Sequence, residues 1–208
     1  KLTEPIGDYP LPQRAAGFAV DNGCSRLCLT VNRNAVMTDG EDIFHQVVND
    51  VRRIVPDVEI AFQDPNQYGP GAAVTAWEGR IHEPFTVLFG DNLYKGTLPK
   101  MPDSVAFSYR SLPSHPRNLQ LAAVIDGYVV EKPHARLSGD YFCGFAHFPK
   151  DYFLRLPGMQ RSARGEYEIT DMINMDGRPV GFDLDEFGIT WADITYKSDI
   201  PVLESLVL

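Results

Sequence analysis

Strand-like apolar runs and helix-like amphipathic runs alternate across residues 11–89, and this alternation narrows the fold more than any other feature of the chain. Residues 11–22 carry helical spacing, with Gly23 as the stop. Residues 26–31 form a short apolar strand. Residues 41–55 are amphipathic, with Ile43, Val47, Val51 and Ile54 on one stripe. Residues 58–62 read as another strand, and residues 72–80 as a helix entered through Gly69-Pro70-Gly71. The run Phe85-Thr86-Val87-Leu88-Phe89 predicts a buried central strand ending at Gly90-Asp91. Parallel strands need crossover connections, and helical crossovers cover the sheet on both faces.

The second half is more antiparallel. Residues 121–125 and 128–130 flank Asp126-Gly127, a strong two-residue hairpin signal. Residues 141–148 form an aromatic strand, followed by a predicted helix over 149–156. A short helix is expected over 168–174, strands over 180–184 and 188–191, and a closing helix over 200–207. Together these predict a single doubly wound α/β domain over residues 1–208, with a mostly parallel, mixed sheet and helices on both faces.

At 208 residues, 44% hydrophobic and 23% charged, the chain has the material for one well-filled core. A net charge of -9 argues against a nucleic-acid partner, which needs a basic patch. No apolar run approaches the roughly 20 residues of a membrane span, so no membrane partner is expected. The three cysteines, Cys24, Cys28 and Cys143, are odd in number and lack a second ligand pair. Cys28 lies in the apolar run Leu27-Cys28-Leu29 and reads as a buried thiol; a reducing cytoplasm is the expected compartment.

Several polar residues stand where strands end. Asp91 follows an apolar strand, and in open α/β sheets ligands bind outside the carboxyl ends of strands. A carboxylate there suits a hard cation such as Mg²⁺; it suits a helix or turn cap equally. Asp193 repeats the pattern after Ile189-Thr190-Trp191. Lys132 precedes Pro133, which favours an extended backbone, and its ammonium suits a phosphate or simply Glu131 beside it. Gln63 and the loop Gln67-Tyr68-Gly69-Pro70-Gly71 offer an amide and glycines that let a flat base approach the backbone. Glu166, in Gly165-Glu166-Tyr167-Glu168-Ile169-Thr170-Asp171, can accept from sugar hydroxyls; Glu168 and Asp171 equally suit the first turn of a helix. The five histidines show no metal spacing.

In order and spacing these segments resemble the sugar-1-phosphate nucleotidyltransferases. Phe89-Gly90-Asp91-Asn92-Leu93-Tyr94 is similar to that family's first metal-binding turn, and Trp191-Ala192-Asp193-Ile194 to its second. Glu131-Lys132-Pro133 resembles its phosphate-binding lysine motif, and residues 165–171 its sugar-side segment. Gln63, Gly69 and Pro70 fall where the family reads the base, Pro70 replacing a usual small or hydroxyl residue. Lys1 stands at the place of a lysine that touches the nucleotide phosphates. Thr195 and Tyr196 stand where the family usually has a glycine. The resemblance further implies that the family's first strand and glycine-rich loop, some ~20 to 30 residues, precede Lys1.

By this resemblance the chain is expected to adopt the Rossmann-like nucleotidyltransferase fold, with Mg²⁺ on Asp91 and Asp193 as its cofactor. The resemblance implies a catalytic set of Lys1, Asp91, Lys132 and Asp193, and substrate contacts at Gln63, Gly69, Pro70, Asn92, Glu131 and Glu166. The implied reaction joins a nucleoside triphosphate, with UTP or dTTP favoured by Gln63, to a sugar 1-phosphate and releases pyrophosphate. Two alternatives stand beside it. One is a cytidylyltransferase acting on a non-sugar phosphate such as phosphocholine, for which Tyr141, Phe142 and Phe145 offer aromatic walls. The other is a non-catalytic binder of nucleotide sugars. A monomer and a homo-oligomer are both compatible with the pattern.

Overall fold

The computed structural model describes residues 5–32, 41–133, 135–156, 159–194 and 200–201. Lys1, Thr195, Tyr196 and most of the expected closing helix lie outside them. Two-residue strands β1 (Pro5–Ile6) and β2 (Tyr9–Pro10) pair with each other and lead into helix α1 (Leu11–Asp21). Pro12 fits the first turn of α1, where its missing N–H costs nothing. The helix ends where Gly23 adopts φ +83°, the stop its sequence predicts. Strand β3 (Cys28–Asn32), helix α2 (Glu41–Arg52) and strand β4 (Glu59–Gln63) follow, and β3 and β4 pair in parallel. Helix α3 (Pro70–Thr75) starts two residues before the expected position and stops early, with Gly79 at φ +71° in the turns beyond it.

The largest sheet has six strands. They are β5 (Phe85–Leu88), β7 (Ala106–Leu112), β8 (Ala123–Ile125), β9 (Tyr128–Val130), β10 (Gly139–Phe148) and β11 (Val180–Asp183), with β6 (Asn92–Lys95) outside it. Strand β10 is antiparallel to β5 and to β7, and β11 is parallel to β7. Strands β5, β7 and β11 therefore share one direction, and β10 runs against them between β5 and β7. This is a mixed α/β sheet in which most of the long strands agree in direction. The Asp126-Gly127 hairpin is present between β8 and β9, both residues at positive φ. Among the described residues, β3 pairs only with β4 and β5 only with β10. β5 is accordingly half-buried at Phe85, Val87 and Leu88, short of the full burial its sequence predicts.

Strand β10 shows why both faces of the sheet are covered. Successive side chains of a strand point to opposite faces. Phe142, Ala146 and Phe148 enter one apolar cluster with Trp77, Phe107, Tyr152, Met172 and Ile173. Cys143 and Phe145 enter a second, with Phe18, Tyr94, Phe182, Leu184 and Trp191. Helix α4 (Ile169–Asn174) packs in the first, and α1 contributes Phe18 to the second. The expected helix over 149–156 shrinks to a 3-10 helix, Tyr152–Arg155, because Asp151 before it sits at φ +56°. Cys28 is half-buried, less than expected, and Cys24 is exposed.

Strand β12 (Thr190–Asp193) does not join the main sheet. It pairs antiparallel with β6, Asp193 opposite Asn92 and Trp191 opposite Tyr94. Asn22, at the end of α1, ties this ribbon down by donating to the Gly96 carbonyl at 3.2 Å and accepting from the Leu98 amide at 2.6 Å. No helix among the described residues is long and apolar enough to cross a membrane.

Candidate active site

The turn after β5 folds back on itself, the Asn92 amide donating to the Phe89 carbonyl at 3.1 Å. It docks on an irregularity in β10. There Phe142 pairs with Tyr109 and Ala146 with Phe107, so four steps along β10 match two along β7. Gly144 lies inside this bulge at φ +69°, and its carbonyl accepts from the Phe89 amide at 3.1 Å. A Cβ on Gly144 would lie 2.8 Å from Asn92 Oδ1 and 2.9 Å from the Tyr94 hydroxyl. A lone glycine in an aromatic strand is the signal that marks this bulge in the sequence.

Asn92 joins the two aspartates. Its Nδ2 donates to Asp91 Oδ1 at 3.1 Å and to Asp193 Oδ1 at 3.3 Å. Its Oδ1 accepts from the Trp191 indole Nε1 at 2.7 Å. Asp91 and Asp193, from opposite halves of the chain, thereby share one amide. The two carboxylates that the sequence places at strand ends do meet in space. Asn92, expected among the substrate contacts, is 2% exposed, and both ends of its amide are engaged within the protein.

Lys132 departs from its expected backbone. Its φ is +37°, strained for a non-glycine residue and unlike the extended geometry that Pro133 favours. Its Nζ lies 3.5 Å from Glu131 Oε1. That carboxylate is shared with Arg164, whose Nη1 reaches Glu131 Oε1 at 2.7 Å and Glu168 Oε1 at 3.5 Å. Arg164 Nη2 reaches Glu166 Oε1 at 3.0 Å. The Glu131-Lys132-Pro133 motif and the segment 165–171 thus form one charged cluster, centred on an arginine absent from the sequence-based site. A cation two residues before Glu166 is the signal that could have found it. Glu168 is 2% exposed; burial pushes its carboxyl up, and the Ser162 hydroxyl, donating at 2.9 Å, pulls it down.

The loop at residues 67–71 is clipped to the same segment. The Tyr167 amide donates to the Tyr68 carbonyl at 2.7 Å, and the Gly71 amide to the Tyr167 carbonyl at 2.8 Å. Gly69 sits at φ +101°, and a Cβ there would lie 2.4 Å from the Tyr167 carbonyl oxygen. Its glycine is required by the protein's own backbone, whereas the sequence suggests the approach of a base. Gln63, 6% exposed, donates through Nε2 to the Gln67 carbonyl at 2.6 Å and the Gly69 carbonyl at 3.3 Å, bracing the loop. Pro70 opens α3. Beside them lies a cavity of about 560 Å³, lined by Gln63, Gln67, Ala72, Thr75, Met159 and Tyr167 among others. That volume suits a nucleoside. Tyr141, Phe142 and Phe145, the candidate aromatic walls for a quaternary ammonium, are at most 6% exposed and belong to the core.

No family model and no curated protein matches the sequence. Solved structures do match the fold. A UDP-glucose pyrophosphorylase complexed with UDP-glucose superposes with a TM-score of 0.73 at 19% identity, over 100% of this chain and 89% of that one. A putative glucose-1-phosphate thymidylyltransferase from Bacillus anthracis, in complex with a sucrose, gives a TM-score of 0.70 at 18% identity, over 99% and 85%. A UDP-glucose pyrophosphorylase from Acinetobacter baumanii gives 0.68 at 18% identity, over 98% and 84%. The chain therefore has the α/β fold of these nucleotidyltransferases.

Proposed function

We propose that this chain transfers a nucleotidyl group from a nucleoside triphosphate to a sugar 1-phosphate, giving a nucleoside diphosphate sugar and pyrophosphate. The observation that carries this reading is the meeting of Asp91 and Asp193 on one side-chain amide at the end of β5. The names of the structural neighbours support it, since they include UDP-glucose pyrophosphorylases and a glucose-1-phosphate thymidylyltransferase.

In the reaction, an oxygen of the sugar phosphate attacks the α-phosphorus of the triphosphate. The bond from that phosphorus to the bridging oxygen breaks, and pyrophosphate leaves with the electron pair. Positioning and charge neutralisation dominate such a step. Lys132 and Arg164, which share Glu131, supply two cations for the acceptor phosphate. Glu131 and Glu166 accept from sugar hydroxyls once the arginine turns toward phosphate. The cavity beside Gln63 takes the nucleoside; because the Gln63 Nε2 braces the loop, its carboxamide oxygen is the atom that would accept from the imide N–H of uracil or thymine. Lys1 would assist with the triphosphate. One carboxylate from the turn after β5 and one from β12 fit Mg²⁺, which uses one or two such ligands together with substrate phosphates. Bound by Asp91 and Asp193, the ion would supply charge neutralisation at the transferred phosphate.

The test is pyrophosphate release by the full-length protein with Mg²⁺, over a grid of nucleoside triphosphates and sugar 1-phosphates. Release with UTP or dTTP and a sugar 1-phosphate is the expected result. Release with CTP and phosphocholine instead would move the assignment to that acceptor class. Silence throughout, with nucleotide sugar still binding, would favour a non-catalytic binder.

A further inference from the structure

Asn92 is buried, asymmetric in its partners and placed between two like charges, and these three facts define its role. The indole N–H of Trp191 can only donate, so the amide atom 2.7 Å away must be the oxygen. Trp191 therefore sets which way the amide points, and both Nδ2 protons must face the carboxylates of Asp91 and Asp193. In the antiparallel register, Asn92 lies opposite Asp193, and Trp191 is two residues before that aspartate on the same face of β12. Trp191 is in turn 6% exposed and packed with Phe18, Tyr94, Phe182 and Leu184. Across the turn, Gly144 leaves room for Asn92 Oδ1 where any Cβ would come within 2.8 Å.

We infer that Asn92 is a positioning residue which, oriented by Trp191, holds Asp91 and Asp193 at cation-binding spacing before any cation arrives. The inference rests on the reading of the two aspartates as a divalent-cation site. Two carboxylates brought together repel each other, and a neutral donor shared between them offsets that repulsion. Groups that orient metal-binding residues typically change metal affinity by roughly 10- to 100-fold when removed. Asn92 itself touches neither substrate nor cation.

The experiment is Mn²⁺ binding to the full-length protein, followed by electron paramagnetic resonance of the free ion, with thermal melts of each variant. Wild type should bind Mn²⁺, and Asp91→Asn should abolish binding. Asn92→Ala should weaken binding by roughly 10-fold or more. Trp191→Phe keeps an aromatic ring in the core but removes the donor, and should weaken binding by a smaller factor. The double variant should bind no worse than Asn92→Ala alone, because the indole acts through the amide. As a second readout, the Trp191 indole proton resonance should move when Mg²⁺ is added to wild type and stay still in Asn92→Ala. Wild-type affinity in a folded Asn92→Ala protein overturns the positioning role while leaving the cation site standing. Equal losses that add in the double variant also overturn it. Absence of Mn²⁺ binding by wild type overturns both the cation reading and the inference.

Discussion

Gly69 and Tyr167 meet backbone to backbone: a Cβ on Gly69 would sit 2.4 Å from the Tyr167 carbonyl oxygen and 3.0 Å from its nitrogen. Neither neighbouring atom is the far end of a flexible side chain, so neither can step aside cheaply. Gly69→Ala should therefore be severe. The left-handed φ of +101° costs about 1–2 kcal/mol and overpacking a further ~1–3 kcal/mol. Chemical denaturation should show a loss of at least about 2 kcal/mol. Gly165→Ala is the control, since its φ is +78° but nothing lies within 4 Å, and it should cost only the conformational part. Equal losses in the two variants would mean that the Tyr167 contact is unimportant.

Replacing either bridged aspartate should separate activity from folding. Asp91→Asn and Asp193→Asn remove a charge while nearly preserving volume. Each should reduce pyrophosphate release on the order of 100-fold or more, as loss of a preorganised charge does. Thermal melts should stay close to wild type. Near-normal turnover by Asp91→Asn would count heavily against the proposed reaction.

Arg164 contacts three carboxylates, Glu131, Glu166 and Glu168. Arg164→Ala should raise the KM for the sugar 1-phosphate more than the KM for the nucleotide. Its side chain is 40% exposed, so the structural loss should be modest, about 1 kcal/mol. Lys132→Ala should shift the same KM with less effect on stability, because its ion pair with Glu131 is long, at 3.5 Å. An unchanged acceptor KM in both variants would remove the phosphate role from this cluster.

His147 gives a pH dependence with a definite sign. It is 7% exposed on β10, with Nδ1 3.0 Å from the Thr86 hydroxyl. Burial lowers its pKa, opposed by a hydrogen bond to the Pro102 backbone and by the charge of Asp103. The folded protein thus binds this proton less readily than the unfolded chain. Its contribution to stability is complete above the ordinary histidine value of about 6.5 and declines as pH falls through that value toward the lower folded one. Melting temperature plotted against pH should show a downturn in that window which His147→Gln reduces. An identical profile in the variant would assign the downturn to other groups.

Gly144 should prove as constrained as Gly69, for a different reason. An alanine there meets Asn92 Oδ1 at 2.8 Å and the Tyr94 hydroxyl at 2.9 Å, two atoms already committed to the Trp191 indole and the Cys143 carbonyl. Gly144→Ala should cost about 1–2 kcal/mol from its φ of +69° alone, and should lower activity by displacing Asn92. A stable, fully active Gly144→Ala protein would show that the bulge tolerates a side chain.

Much of the fold is legible in the chain because it is local. The glycine stop of α1 and the Asp126-Gly127 hairpin depend on residues within a few positions of one another, whereas of the stripe expected on α2 only Val51 is buried, Ile43 and Ile54 being exposed. Asp91 and Asp193 are also legible as acids at strand ends. Tertiary structure decided which groups meet. The bridge through Asn92 needs the register between β6 and β12, and packing of Trp191 against Phe18 and Tyr94 supports that register. The Gly69 and Gly144 positions are dictated by backbone and side chains far away in the chain, and Arg164 gains its place only when residues 131 and 164–168 come together. Local propensity acts over one or two turns, whereas hydrogen bonds across a hundred residues exist only after the apolar clusters have closed around them.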